Sequence, residues 1–310
     1  MIITVTLNPA NDRTYELDGF IDGGTNRAQS VSSRPGGKGI NVSRALTGLG
    51  VRNLAMGIAD SAFAEWLRSE GIDSDFVITD SRMRTNIKIV DTNRGITTEI
   101  NERGPHVDDR TLGLVQEKLE KRLSGGDIVV FSGSLPPGAP KDIYRSWISL
   151  CRSKGAVSIL DSSGIALREG LNAVPYLVKP NLAELEYLEG RQLADATQMC
   201  EAAANILSAG VEKVIVSLGV GGAVLLSRNG VYFGSAPNVP AKSSVGAGDA
   251  MVAACIMGMG MSLQDKNLLA LAIAAGASST MNGGVVDISQ VKKLGAEIEV
   301  MDMGEQPLIT

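Results

Sequence analysis

Short apolar or β-branched runs alternate along the chain with segments of helical spacing. Residues 2–7, 53–57, 127–131, 157–160, 176–179 and 213–218 read as strands. Residues 109–123, 141–153 and 197–209 carry the spacing of helices. Strands that alternate with helices predict βαβ units, hence an α/β fold with a mostly parallel sheet covered on both faces.

Three stretches break that rhythm. Residues 85–91 and 96–101 are β-rich runs separated by Thr92-Asn93-Arg94-Gly95, which predicts a hairpin. Residues 17–27 are Gly-containing, lack helical period and are expected to be extended. Together these pieces predict a small second sheet. A further hairpin is expected from residues 223–226 and 231–235, turning at Arg228-Asn229-Gly230. With no internal repeat or long linker, the expectation is one domain over residues 1–310, with a discontinuous β lid formed roughly by 12–33 and 84–103. Residues 268–280 are apolar all round and rich in small residues, which predicts a buried helix that other backbones approach closely. Residues 257–261, rich in Met, are expected to end a core helix.

Charge and cysteine usage narrow the function classes. The net charge of −5 gives no global attraction for nucleic acid or anionic membranes, so neither is expected as a partner. Any phosphate must be held by a few local cations and by backbone N–H groups. Cys151, Cys200 and Cys255 are widely spaced, and His106 is the single histidine, which argues against a disulfide framework and a zinc site. The opening MIITVTLNPAND has no basic flank and reads as a strand, so a cytoplasmic location is expected. The apolar stretch 251–281 is broken by polar residues at 262–267, leaving halves too short to span a bilayer.

Three motifs carry candidate chemistry. Ser243-Ser244-Val245-Gly246-Ala247-Gly248-Asp249 runs directly into a helical pattern. Small residues at a helix start leave N–H groups free for an anion, and the helix dipole adds partial positive charge. Taken alone, the same residues also suit an ordinary Gly-rich helix start. Arg34-Pro35-Gly36-Gly37-Lys38-Gly39-Ile40-Asn41 is a second Gly-rich loop entering a helix, with neither P-loop nor dinucleotide spacing. In Lys179-Pro180-Asn181-Leu182-Ala183-Glu184, Asn181 and Glu184 share one face at a helix start. They suit either a hydrated Mg ion or a helix cap.

These motifs, in this order, resemble the pfkB family of carbohydrate kinases, whose fold is ribokinase-like. The resemblance runs nearly end to end. It includes Thr6-Leu7-Asn8-Pro9-Ala10-Asn11-Asp12, Ser132-Gly133-Ser134-Leu135-Pro136-Pro137-Gly138 and Val216-Ser217-Leu218-Gly219. Within the family, Arg84-x-Asn86-x-Lys88 and Thr98-Glu99-Ile100-Asn101 are most similar to the bacterial 1-phosphofructokinase branch.

The resemblance implies ATP as phosphoryl donor, Mg as cofactor and a sugar phosphate as acceptor. The acceptor that branch implies is fructose 1-phosphate, giving fructose 1,6-bisphosphate. It implies Asp249 as the base, and Gly246, Ala247 and Gly248 as an anion hole. Asp12, Gly37 and Asn41 would hold sugar hydroxyls, with Ser134 on the same side. Lys38, Arg27, Arg84 and Lys88 would face the substrate's existing phosphate. Lys179, Asn181, Ser217, Gly219, Gly222 and Asn282 would line the nucleotide, and Asn181 and Glu184 would organise Mg through water. A homodimer through the β lid is implied, with Arg27 reaching the neighbouring site. Because the hydroxyl gives up its proton late, an Asp of ordinary pKa is expected to suffice.

One stretch departs from the family pattern. Gly57-Ile58-Ala59-Asp60-Ser61-Ala62-Phe63 places Asp60 where Gly is usual and shortens the loop, on the side that selects the sugar. Tagatose-6-phosphate kinase and 6-phosphofructokinase activities therefore stay open as alternatives, as does a non-catalytic sugar-phosphate sensor.

Overall fold

β1 (Ile2–Thr6) is the strand from which the architecture grows, and Ile3, Thr4, Val5 and Thr6 are all buried. A computed structural model describes residues 1–304. From β1 the chain leaves the main sheet to form β2 (Ala10–Leu17) and β3 (Ser30–Gly36), then re-enters through α1 (Lys38–Gly48). β4 (Leu54–Ala59), α2 (Ser61–Ser69) and β5 (Ser74–Ile78) build one wing. A second excursion makes β6 (Arg84–Asp91) and β7 (Ile96–Asn101), and α3 (Asp109–Arg122) leads back.

The other wing alternates strand and helix: β8 (Ile128–Ser132), α4 (Ile143–Ser153), β9 (Val157–Asp161), α5 (Gly164–Leu171) and β10 (Leu177–Val178). It continues through α6 (Leu182–Glu189), α7 (Ala196–Ser208), β11 (Lys213–Ser217), β12 (Ala223–Ser227) and β13 (Gly230–Gly234). α8 (Ala247–Gly260), α9 (Asp265–Met281), α10 (Ile288–Glu297) and β14 (Val300–Asp302) complete it.

The ten strands of the large sheet run β14-β13-β12-β11-β10-β9-β8-β1-β4-β5. Those from β11 to β5 are parallel, and the β12, β13 and β14 pairings are antiparallel. Because β1 has β4 on one side and β8 on the other, the chain reverses its direction of winding there. Such a switch point opens a crevice at the carboxyl ends of the strands. α3, α4 and α7 pack one face of the sheet through Leu119, Trp147 and Ala203. α1, α8, α9 and α10 pack the other through Leu46, Val252, Leu269 and Val291. α9 is buried nearly throughout, as its small residues predict, and α8 does end in the Met-rich segment.

The small sheet is β3-β2-β6-β7. Its order places β6 parallel to β2 although the two lie far apart in sequence. The predicted 85–91/96–101 hairpin is β6 and β7. The extended reading of residues 17–27 is corrected. β2 ends at Leu17 and the chain turns, with Gly19 and Gly23 at positive φ, before β3 begins at Ser30. Asp18, Asn26 and three glycines favour turns over strand there. At Asp60, the chain passes from β4 into α2 through one capping residue, whose carboxylate accepts from the Phe63 N–H at 2.7 Å.

Candidate active site

The crevice receives the residues that follow the parallel strands. Asn8 follows β1, Ser134 follows β8, Asp161 ends β9, Lys179 follows β10 and Ser217 ends β11. Two helices start beside them. α1 begins at Lys38 after Gly37, whose φ of 110° suits glycine; a Cβ there would stand 3.1 Å from Pro9 Cα. α8 begins at Ala247 after Gly246, in the left-handed region at φ 83°, and no side chain caps it. The Ala247 N–H donates to Ser244 O at 3.3 Å, and the first-turn N–H groups that follow it are left for an anion.

Five charged side chains meet at this point. Asp161 is fully buried, with Lys38 Nζ 3.1 Å and Lys179 Nζ 3.5 Å from its Oδ1. Lys38 also reaches Glu184 Oε1 at 3.3 Å. Asp249 lies buried in the first turn of α8 and accepts from Asn41 Nδ2 at 2.9 Å. A Cβ on Gly248 would stand 3.0 Å from Lys179 Nζ, so the ammonium lies against the start of α8.

The titration behaviour follows from this packing. Burial, and then the charge of Asp161, push Asp249 up to about 6, against the pull of Lys38, the Asn41 hydrogen bond and Lys179. Asp249 is therefore not the Asp of ordinary pKa expected from the sequence: burial first, and the buried Asp161 second, raise its affinity for a proton. Burial also pushes Asp161 upward, but Lys179 and Lys38 outweigh it and hold its carboxyl below the usual range. Burial opposes the charge on Lys38, yet Asp161, Glu184 and Asp249 outweigh it and keep the ammonium charged.

The underside of the small sheet covers the crevice. Asp12 accepts from Asn86 Nδ2 at 2.9 Å, and burial raises its pKa. Arg84 donates to Asn8 O at 3.0 Å, Asn86 Oδ1 at 3.3 Å and Glu102 O at 3.0 Å. Lys88 Nζ donates to Ser243 Oγ at 2.9 Å, and Arg34 Nη1 donates to Gly283 O at 2.6 Å. The sheet is thereby tied to the two loops beside the α8 start.

The structure thus brings Asp12, Gly37, Lys38, Asn41, Arg84, Lys88, Ser134, Lys179, Glu184 and Asp249 to one crevice. Lys38 stands at its centre, bonded to Asp161 and Glu184 and within the field of Asp249. Arg27 is exposed on the β2–β3 loop, beyond the far end of the small sheet from Asp12, and does not join this set. Asn282 Nδ2 is committed to Ser278 O at 2.9 Å and Gln290 Oε1 at 2.7 Å. Ser217 is tied to the neighbouring strand end through its N–H to Pro180 O at 3.0 Å. Gly219 and Gly222 flank an exposed turn, and at Gly222 a Cβ would collide with Gly234 O.

Asn181 and Glu184 form a reciprocal capping box, with Asn181 Oδ1 accepting from Glu184 N at 2.8 Å and Glu184 Oε2 from Asn181 N at 3.0 Å. No group of three or more His, Cys, Asp or Glu that could hold a metal ion occurs among the described residues. Glu184, set by this capping box, could hold a Mg ion through the ion's waters.

Sequence reasoning named Arg34 only as a loop residue and missed Asp161 and Asn8. The signal for Asp161 is an acid directly closing an apolar strand and followed by Ser162-Ser163-Gly164. Asn8 donates to Arg103 O at 3.0 Å and Ser134 Oγ at 3.3 Å, joining β1 to both loops.

With this geometry in place, comparison with known proteins is specific. The profile of the family described as pfkB family carbohydrate kinase matches residues 4–291. The 1-phosphofructokinase of Bacillus subtilis is 34% identical over 304 residues, 97% of this chain and 99% of that protein. The 1-phosphofructokinase of Escherichia coli is 34% identical over 96% of this chain and 97% of that protein. Among solved structures, phosphofructokinase-2 from Escherichia coli in complex with substrates and products superposes with a TM-score of 0.90, at 30% identity, covering 96% of this chain and 98% of that chain. Arabidopsis thaliana ribokinase, at 21% identity and a TM-score of 0.75, shares the fold.

A pH profile tests the buried pair. kcat/KM for the phosphate acceptor should fall as pH drops through about 6, because Asp249 must be ionised to accept a proton. Asp161→Asn removes the like charge and should move this acid limb to lower pH. A limb that stays in place in the variant would show that Asp161 does not set it.

Proposed function

We propose, from the premise that this chain belongs to the pfkB family of carbohydrate kinases, that it phosphorylates fructose 1-phosphate to fructose 1,6-bisphosphate with ATP. The chain is a phosphotransferase with an alcohol group as acceptor, acting on a sugar phosphate. The observation that carries this reading is the Asp249 carboxylate, buried in the first turn of an uncapped helix and within the field of Lys38 and Lys179.

In that arrangement the acceptor hydroxyl faces Asp249, which takes its proton. The hydroxyl oxygen bonds the γ-phosphorus as the bond to the β,γ-bridging oxygen breaks, and ADP leaves. The transition state is loose, so the protein mainly aligns the reacting atoms and offsets charge. The N–H groups of Gly246, Ala247 and Gly248 supply fixed dipoles, and Lys38 and Lys179 supply charge. We assign Lys38 to the phosphoryl group in transfer because it lies beside the base, and Arg84 to the acceptor's existing phosphate. Asp12, Gly37, Asn41 and Ser134 hold the sugar, while Ser217, Gly219, Gly222 and Asn282 border the nucleotide. Mg would neutralise charge on the nucleotide phosphates, held at its outer shell by Glu184; Asn181 sets that carboxylate through the capping box.

The acceptor is chosen on two grounds. Curated relatives of near-equal length are 1-phosphofructokinases, and Arg84, Asn86 and Lys88 alternate onto the crevice side of β6. A second reading, a 6-phosphate acceptor, is favoured by the structural match to phosphofructokinase-2, one form of which is in complex with fructose-6-phosphate. The opposite face of the small sheet carries Val31, Ile87, Ile89, Ile96 and Ile100, of which Val31, Ile96 and Ile100 are about half exposed. This supports a homodimer through that face, with Arg27 at its margin.

An ADP-release assay with Mg and ATP across phosphorylated and free ketohexoses tests the acceptor. Fructose 1-phosphate should give the highest kcat/KM, and preference for a 6-phosphate would overturn that assignment while keeping the kinase. For the dimer, light scattering should give twice the chain mass for the wild type and a single chain mass for Ile100→Asp. A monomeric wild type at micromolar concentration would refute it.

A further inference from the structure

Arg34 is a cation without a role in the mechanism above. It sits on β3 opposite Asp12, on the face of the small sheet that covers the crevice. The side chain is partly buried, and burial together with the Arg44 charge depresses its pKa. Its hydrogen bond to a protein acceptor goes to Gly283 O, which leaves most of its fork of N–H donors free. It forms no direct ion pair among the described residues, in contrast to Lys38.

Its position relative to the transfer centre follows from two glycines. Gly246, the cap of α8, packs on Gly284: a Cβ on Gly246 would stand 3.8 Å from Gly284 Cα. A Cβ on Gly284 would in turn stand 2.5 Å from Arg34 Nη1. Ser279 Oγ, buried without a partner, lies beside Gly246 as well. The guanidinium therefore reaches over the site from the small sheet and ends beside the uncapped helix start, within the field of Asp249.

Charge balance gives it a purpose. At the transfer centre three carboxylates, Asp161, Glu184 and Asp249, face two ammonium groups, Lys38 and Lys179. That set cannot by itself offset a nucleotide triphosphate that spreads negative charge over the oxygens of the group in flight. Lys88, on the same face of the sheet, is held by Ser243, and Arg84 is held by Asn8 O and Glu102 O.

We propose that Arg34 is a catalytic residue that donates to the non-bridging oxygens of the phosphoryl group in transfer. Its N–H groups only donate hydrogen bonds; the proton still passes from the hydroxyl to Asp249 and the bonds exchanged at phosphorus are those stated above. The inference rests on the kinase reading.

The test is steady-state kinetics of Arg34→Ala and Arg34→Lys with fructose 1-phosphate and ATP, alongside ATP binding and thermal melting. kcat should fall ~10²–10³-fold in Arg34→Ala, with both KM values within about threefold of wild type. Added guanidinium should restore part of the loss. Arg34→Lys, which keeps charge and length but loses the planar fork, should stay at least about tenfold impaired in kcat; this variant keeps the test valid if the alanine variant does not fold. An Arg34 that merely clasps Gly283, or that reads the acceptor's own phosphate, would raise KM for the sugar phosphate and leave kcat intact, and that result overturns the proposal. A wild type that turns over no ketohexose phosphate would overturn the kinase reading together with this inference, whereas a wild-type enzyme with an unimpaired Arg34→Ala kcat overturns the inference alone.

Discussion

Asp161 has no access to water, and a carboxylate in that position costs several kcal/mol unless cations and hydrogen bonds surround it. Lys38, from the start of α1, and Lys179, from the end of β10, supply that compensation from opposite sides of the crevice. One ion triad thus fixes the relative placement of a helix start, two strand ends and, through Glu184, the start of α6. Asp249 arrives at the same point from α8 without a lysine in direct contact. The cost of burying that second carboxylate appears as a raised affinity for a proton, which is the property a base needs. Replacing the triad with apolar side chains could satisfy the fold equally well; keeping it there makes sense if phosphate charge must be met.

The small sheet follows from the same constraint. Its crevice face carries Asp12, Arg34, Arg84, Asn86 and Lys88, side chains that a solvent-exposed sheet would leave unordered. Here they bond to Asn8, Gly283, Ser243 and one another. The sheet brings carboxylate, amide and cationic side chains to a centre that the parallel strands alone would leave open to water. Shutting water out strengthens each of these interactions, because charge is less screened in the enclosed site.

The parallel wings were legible in the sequence because their strands are continuous apolar runs, buried on both faces, and their helices keep a clear period. The small sheet was only half legible. β6 and β7 show a hairpin turn, but β2 mixes Asn11, Asp12, Arg13 and Glu16 with few apolar residues, because one of its faces serves the site. A period-2 search therefore misses it and drifts into the glycine-rich turn beyond Leu17. Among site residues, Asp249, Lys38 and Glu184 sit in motifs whose local spacing has chemical meaning. Asp161 and Arg34 do not: their roles come from strands that meet only in three dimensions. Arg27, which the resemblance assigns to a neighbouring subunit's site, lies on the exposed β2–β3 loop outside this chain's own crevice.

In the proposed mechanism Asp249 accepts the proton, and it is also a buried charge that the fold tolerates at a cost. The most direct test is Asp249→Asn, measuring kcat, ATP binding and thermal stability on one preparation. The predicted result is a loss of ~10²–10⁴ in kcat, with ATP binding retained and a melting temperature at or above that of the wild type, since the repulsion from Asp161 is gone. A variant that keeps near-wild-type kcat, with the same melting behaviour, would contradict it.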